Sequence, residues 1–480
     1  MRARVLRHHF AGWADPSEVF IRLYGDAPEC FWLDSGSDAR SGMSYMGAGS
    51  RRATARAADD FVELDGRPVP GTVFDLLRAE CAAGTLEPSE GFQLGWVGWL
   101  GYELRHQTAG TGATRGDAAP RASRYPDAAL IFADRVIAFD HAARSIALAA
   151  LVVDDEHAAI AWRDAVIEAL AAASAAPGRR PASRPSAGPA EPAAPAGARW
   201  HDAGEEYLGM VAACQAAIAA GEAYQLCLTT EVEVPVHPDP VALYLALRSS
   251  SPSHHGGLVR SGGVSLLSSS PERFLSATAD GVVRTQPIKG TRPRGATAEL
   301  DAALAAELFR SEKERAENLM IVDLMRNDLA RVCAPGSVEV SDLFEVQSYA
   351  QVHQLVSTVQ GRLAEGMTGI DAVMACFPAG SMTGAPKLRA MELLDAIERR
   401  PRGVYSGAFG YFGLDGAIDL AMVIRSIVLD AGGAVIGTGG GITALSVAAD
   451  ELAEARLKAA APLAALLAAG GLPGAPRAAG

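Results

Sequence analysis

The chain has 480 residues, 49% hydrophobic and 21% charged, which allows a large buried core and excludes global disorder. Its 43 Lys+Arg against 56 Asp+Glu leave a formal net charge of −13, so a phosphate backbone is a poor partner and nucleic-acid binding is not expected. No stretch of about 20 residues is free of charges and turn formers, the basic opening MRARVLRHHF lacks the apolar run of a secretory signal, and the six cysteines (Cys30, Cys81, Cys214, Cys227, Cys333, Cys376) have no C-x-x-C spacing, which together point to a cytoplasmic protein with free thiols.

Taken in chain order, GFQLGWVGWLGYEL (91–104) and ALIFADRVIAFDH (129–141) alternate as strands, and HAAIAWRDAVIEALAAA (157–173) has helical periodicity. Residues 174–199 are almost entirely Ala, Pro, Gly, Ser and Arg, cannot bury a core, and read as a linker. The expected organisation is an N-terminal α+β subdomain over 1–173, that linker, and a larger catalytic domain over 200–471, with a frayed tail. The larger part opens with an amphipathic helix ending at Gly221 and the strand AYQLCLTTEVEV. Strands VSLLSSS, VVRTQPI, VYSGAFGYF, DLAMVIRSIVL and AVIGTGGGIT follow, with helices ELDAALAAELF, SEKERAENLMIVDLMRNDLARV, KLRAMELLDAIERR and AADELAEARLKAAAPLAALLAA. Short Gly/Asp turns between so many strands favour an α+β fold with a mostly antiparallel sheet.

Several residues are candidates for chemistry. Glu314 and Glu317 share one helix face, as do Glu451 and Glu454 with Lys458 four further on. Two such helices could together hold a hard divalent cation such as Mg²⁺; the plainer alternative is two solvated faces with Glu–Lys pairs. Glu272, between an apolar strand and Phe274 in SSSPERF, suits a general acid if buried, or a simple turn ion pair. Lys289, in QPIKGTRPRG, reads as a loop amine that becomes nucleophilic if desolvated near Arg292 and Arg294, or as an ordinary basic surface loop. GSMTGAPK (380–387), with Lys387, and GTGGGIT (437–443) offer backbone N–H groups to anions, though glycine runs are often only turns. Neither fits a P-loop. His353 is a catalyst candidate or a satisfied core residue. Arg425, a charge in an apolar strand, needs either a substrate carboxylate or a structural partner, and Tyr405 either donates to a ligand or packs.

AAGEAYQLCLT, SSSPERF, QPIKGTRPRG, AENLMIVDLMRNDLARV, VHQLVSTV, GSMTGAPK, RGVYSGAFGYF and GTGGGIT, in this order, resemble the chorismate-utilising enzymes over roughly residues 205 to 465. The resemblance implies a large, mostly antiparallel β-sandwich core with helices packed outside. Lys289 stands where anthranilate-forming members carry alanine, and so points to the branch that aminates chorismate at C4. Gln225 stands where isochorismate- and salicylate-forming members carry a lysine that activates water. The implied chemistry is Mg²⁺-dependent: Glu317 and Glu454 hold the metal with Glu314 and Glu451 in support, Glu272 protonates the leaving hydroxyl, and Lys289 attacks C2. Ammonia then adds at C4, giving 4-amino-4-deoxychorismate for 4-aminobenzoate and folate synthesis. His353 joins the catalytic set, while Gln225, Gly290, Thr291, Tyr405, Arg425, Gly439, Gly440, Gly441 and Lys458 match substrate-binding positions. Ammonia is expected from a separate glutamine amidotransferase subunit. The alternatives are an anthranilate or aminodeoxyisochorismate synthase component, or a non-enzymatic chorismate-binding paralogue.

Overall fold

Short apolar strands separated by Gly- and Asp-rich turns pair, in the computed structural model, into two large sheets. The structure describes residues 4–49, 51–82, 86, 91–108, 121–153, 155–175, 195–349 and 352–470. Each sheet has 12 strands, and the pairings are antiparallel. The first runs Arg4–Phe10, Ser145–Val152, Arg135–Asp140, Met43–Ala48, Cys30–Asp34, His255–Ser261, Val264–Ser270, Ser426–Asp430, Gly433–Ile442, Gln225–Val234 and Arg199–Trp200, with Gly384–Ala385 also paired to Gln225–Val234. The second runs Ile288–Pro293, Val352–Arg362, Val282–Thr285, Arg273–Ala277, Ile418–Met422, Ala408–Gly413, Gly95–Leu100, Ala128–Ala133, Arg52–Ala55, Phe61–Leu64 and Arg67–Pro70, with Glu339–Ser348 added beside Val352–Arg362.

The largest apolar cluster joins the two sheets: Phe31, Val259 and Leu266 of the first are buried with Trp96, Trp99 and Phe409 of the second. Burial of each such side chain is worth about 1.5–3 kcal/mol. Contact is close enough to require glycine at Gly257, where a Cβ would lie 2.8 Å from the Phe409 ring. The outer face of the first sheet is covered by helices Pro16–Tyr24, Pro240–Ser250 and Ala448–Gly470, whose Phe20, Leu243, Ala459 and Leu463 enter a second cluster. This is the expected α+β sandwich with helices outside.

Both sheets take strands from either side of 174–199. Cys30–Asp34 pairs with His255–Ser261, and Gly95–Leu100 pairs with Ala408–Gly413. The N-terminal and C-terminal segments therefore share one core, because neither half-sheet alone would cover the apolar face of the other. Of 174–199 itself, residues 176–194 lie outside the described residues, as does the tail from 471. No helix among the described residues is long and apolar enough to cross a membrane, and the six cysteines are free.

Two apparent single strands are each two. ALIFADRVIAFDH divides into Ala128–Ala133 of the second sheet and Arg135–Asp140 of the first. DLAMVIRSIVL divides into Ile418–Met422 of the second and Ser426–Asp430 of the first, with Arg425 at φ +53 in the crossing. An apolar run long enough for one strand can equally serve two, each buried against the same core.

Candidate active site

The site forms where the chain changes sheets. Glu272 follows Val264–Ser270 of the first sheet and precedes Arg273–Ala277 of the second; Arg425 occupies the crossing just described. The two crossings lie side by side, because the Met422 N–H donates to the Glu272 carbonyl (3.0 Å) and the Ser269 N–H to the Arg425 carbonyl (3.3 Å). Glu272 and Arg425 thus reach one cavity of about 490 Å³.

A second wall is the Ile288–Pro293 strand, which the sequence suggested was a loop. Its pairing with Val352–Arg362 slips between Lys289 and Thr291, so Gly290 is an extra, bulged residue. Gly290 has φ +79, and a Cβ there would lie 2.8 Å from Leu308 Cδ1 and 2.9 Å from the Glu314 carboxyl. The bulge turns Lys289, Gly290 and Thr291 to the cavity. Gly290→Ala is expected to cost about 1–3 kcal/mol through positive-φ strain and to displace Glu314 or Lys289. Denaturant unfolding and the rate of product formation should both register it.

Two helices carry the four glutamates. Glu312–Ala330 is capped by Ser311, whose side chain accepts from the Glu314 N–H, and buries Asn318, Ile321, Val322 and Met325 along one side. Asn318 is tied to the Pro287 carbonyl (3.4 Å) and to Ser357 (2.5 Å), so the neighbouring Glu317 is held opposite Lys289. Ala448–Gly470 buries Ala455, Ala459 and Leu463. Its Glu451, Glu454 and Lys458 line the same cavity as Glu314 and Glu317. Both pairs lie in the first two turns of their helices, where the dipole favours negative charge.

The glycine run is not a nest. Gly439, Gly440 and Gly441 lie in the regular ladder of Gly433–Ile442, opposite Thr229, Leu228 and Cys227. What requires glycine is close approach: a Cβ on Gly440 would meet the Glu451 carboxylate at 3.0 Å, and one on Gly437 the Tyr405 side chain at 2.1 Å. Tyr405 is buried against that strand and lines the cavity. Lys387 is likewise not an anion ligand, since its ammonium is taken by buried Asp328 and the Cys376 carbonyl.

The charges are mutually engaged. Glu314 faces Arg292 (3.5 Å), Glu317 faces Lys313 (4.0 Å), Glu454 pairs with Lys458 (2.7 Å), and Glu451 accepts from Ser446 (2.7 Å). Lys458 also donates to the Gly439 carbonyl (2.9 Å). Burial pushes Glu272 up to about 7, against the opposing charge of Lys289 and hydrogen bonds from Ser381 and the Ile288 N–H. Burial also raises Glu317, with Lys289 and Lys313 opposing. Burial acts upward on Glu454 too, but the Lys458 charge and hydrogen bond, with Lys313 and Lys289, hold it below the ordinary value. Arg425 is pulled down by burial, and among the described residues no hydrogen bond or ion pair holds its guanidinium. A desolvated cation without a partner suits a substrate carboxylate.

Two expected site residues lie elsewhere. His353 is buried in its strand with its ring fixed between Ser348 (2.8 Å) and Asp301 (2.9 Å), and it does not line the cavity. Gln225 is buried beneath the wall, its amide nitrogen where a Cβ on Gly441 would lie (2.2 Å) and its oxygen without a partner among the described residues. Conversely, Ser381, Lys313, Gln354 and Cys227 line the cavity without having been singled out for it. Lys313 had a signal in its spacing of four from Glu317; Ser381 had none beyond lying in a Gly-rich turn.

The carboxylates supply only hard oxygen donors, which suit Mg²⁺ in chemistry. Among the described residues, no three metal-ligating side chains converge into a ready-made cage. Oxygen donors of this kind suit a cation that keeps waters and takes a further oxygen from substrate.

Comparison with known proteins matches the chain to the chorismate binding enzymes over residues 28–464. It is 44% identical over 94% of its length to an aminodeoxychorismate synthase of Streptomyces pristinaespiralis and 45% identical over 97% to one of Streptomyces griseus. The chain spans 64% of the length of each. It is 38% identical to anthranilate synthase component 1 of Mycolicibacterium smegmatis, covering 97% of this chain and 91% of that one. The crystal structure of anthranilate synthase component I from Streptococcus pneumoniae superposes with a TM-score of 0.73 at 27% identity, over 95% of this chain and 99% of that one.

Proposed function

We propose, because this chain belongs to the chorismate-binding enzyme family, that it aminates chorismate at C4 to give 4-amino-4-deoxychorismate, the precursor of 4-aminobenzoate and folate. The observation that carries this reading is a lysine, Lys289, turned by the Gly290 bulge into a cavity shared with a carboxyl poised near neutrality and two glutamate-bearing helices. An anthranilate-forming reaction has no use for that amine.

In this reading Arg425, half-buried and without an ion pair among the described residues, takes a substrate carboxylate, while Tyr405 and the Gly437–Gly441 strand set the ring against the wall. Glu272, as the neutral acid, gives its proton to the departing C4 hydroxyl. The Lys289 amine forms a bond to C2 as the C4–O bond breaks, which divides one difficult displacement into two easier ones. Ammonia then bonds to C4 and the lysine leaves C2. Glu317 and Glu454, with Glu314 and Glu451, would hold Mg²⁺, which supplies charge neutralisation and orientation of a bound carboxylate. Ammonia from a glutamine amidotransferase partner, and a cytoplasmic setting, belong to the same reading.

The test is product identification by mass after incubation with chorismate, Mg²⁺ and ammonium. 4-Amino-4-deoxychorismate supports it; anthranilate, or unchanged chorismate despite tight binding, rejects it. Glu317→Gln and Glu454→Gln should each raise the Mg²⁺ concentration for half-maximal rate by at least about tenfold, the worth of ~1.4 kcal/mol of lost carboxylate attraction. An unchanged Mg²⁺ dependence would remove these two residues from the metal end.

A further inference from the structure

Behind the cavity lies a buried charge pair that the chemistry above does not use. Arg402 and Glu398 have side chains 1% and 3% exposed. The Arg402 guanidinium donates to both Glu398 oxygens (2.9 and 2.7 Å), to the Met382 carbonyl (2.6 Å) and to the Cys227 carbonyl (2.8 Å), and it lies over the Tyr102 ring. The pair is an expensive way to fill a core, because apolar groups of the same volume serve stability as well or better. What a guanidinium adds is a rigid fork of donors that fixes several acceptors at once.

The acceptors it fixes lead to the site. Met382 closes the short Gly380–Met382 turn, and the residue before it, Ser381, lines the same cavity as Glu272 and favours the charged form of its carboxyl. The turn is gripped from other sides as well. The Cys227 N–H donates to the Thr383 carbonyl (2.8 Å), and Gly380 packs so tightly on Leu324 of the Glu312–Ala330 helix that a Cβ would lie 2.4 Å from it. Arg402 thus ties the turn to Cys227 of the Gln225–Val234 strand.

We infer that Ser381 and, behind it, Arg402 are positioning residues for the general acid: Arg402 clamps the Met382 carbonyl, and the turn so fixed presents the Ser381 hydroxyl to Glu272. The inference rests on the reading of Glu272 as the acid. The groups that face Glu272 are Lys289 and the Ile288 N–H from the bulged strand, Ser381 from the turn, and Lys458 from the last helix; Glu317, Glu454 and Arg425 stand further round the wall. A hydroxyl donating to the carboxylate favours its charged form. Removing it should leave the acid protonated to higher pH.

The experiment is the pH profile of 4-amino-4-deoxychorismate formation with ammonium as nitrogen source. Ser381→Ala should move the alkaline limb up by about one pH unit with the KM for chorismate unchanged. Arg402→Met combined with Glu398→Gln, which leaves no buried unpaired charge and keeps an acceptor for the Thr229 N–H, should move it in the same direction. The triple variant should move it no further than Ser381→Ala alone. Partial unfolding grows as Glu272 ionises and would draw the limb to lower pH, opposite to the expected shift, so the direction of the readout separates positioning from stability. A limb that stays put in Ser381→Ala, a raised KM for chorismate in its place, or shifts that add in the triple variant would overturn the inference. Glu272→Gln is measured alongside: wild-type turnover there overturns both the inference and the assignment of the acid, whereas a dead Glu272→Gln with an unmoved Ser381→Ala limb overturns the inference alone.

Discussion

Lys289→Ala is expected to lower 4-amino-4-deoxychorismate formation by at least about two orders of magnitude, ~2.7 kcal/mol of lost transition-state stabilisation. The expectation follows from position. Lys289 stands at the bulge in the Ile288–Pro293 strand, shares the cavity with Glu272, Glu317 and Glu454, and its charge acts on all three carboxyls. No other lysine has that placement: Lys313 and Lys458 are engaged by Glu317 and Glu454 on the helices. Two further results distinguish a nucleophile from a charge that merely neutralises substrate. The wild type, quenched during turnover with chorismate and Mg²⁺ but little ammonia, should carry a covalent adduct by intact mass, and Lys289→Ala should not. Lys289→Arg, which keeps the charge but not the nucleophilic amine, should be as impaired as the alanine variant. Wild-type-like turnover in Lys289→Ala, or activity preserved in Lys289→Arg, would reject the covalent route. Loss of the ammonium also removes the main opposition to burial at Glu272, so residual activity in Lys289→Ala should persist to higher pH than in the wild type.

How much of this was legible depends on whether the signal was local. The i, i+3 spacing of Glu314–Glu317 and of Glu451–Glu454 places each pair on one face of its helix whatever the tertiary fold, and the two helices do bring the pairs to one cavity. The antiparallel α+β class followed from many strands joined by short turns. What failed was non-local. Nothing in DLAMVIRSIVL marks the change of sheet at Arg425, because both halves are apolar and the positive φ of an arginine has no sequence signature. QPIKGTRPRG looks like a loop because its prolines and glycines are turn formers, yet Gly290 is the extra residue of a bulge inside a paired strand. GTGGGIT looks like a nest, but its glycines answer to the side chains of Glu451, Gln225 and Tyr405 pressed against the strand. Lys387 was a plausible anion ligand and His353 a plausible catalyst until their partners, Asp328 and Asp301, distant in the chain, came beside them. Ser381 acquires meaning only once the turn that holds it is seen beside Glu272.

Glu272→Gln should abolish ring chemistry and yet be the more stable protein in alkaline solution. Catalysis needs a proton for the leaving hydroxyl, and glutamine has none to give. In the wild type the requirement should show as a rate that is level below about pH 7 and falls above it, since burial raises the Glu272 carboxyl to about 7 and an acid in the proposed role acts only when protonated. The same shift fixes the stability relation. The folded-state value lies above the unfolded-state value of about 4.5, so the stabilisation from a neutral buried carboxyl is fully present below that lower value and is lost as pH rises toward 7. A difference of roughly 2.5 units corresponds to about 3 kcal/mol between acid solution and pH 8. Glutamine does not ionise and escapes that loss. Denaturant unfolding of the two proteins should therefore give similar stabilities near pH 4.5 and a variant more stable by up to about 3 kcal/mol at pH 8. An inactive variant that is also destabilised at pH 8 would mean that Glu272 contributes packing or ion pairing rather than a proton. An active one would remove the acid from the mechanism altogether. Inactivity with gained stability is the combination that only a carboxyl held for chemistry, at a cost to the fold, can produce.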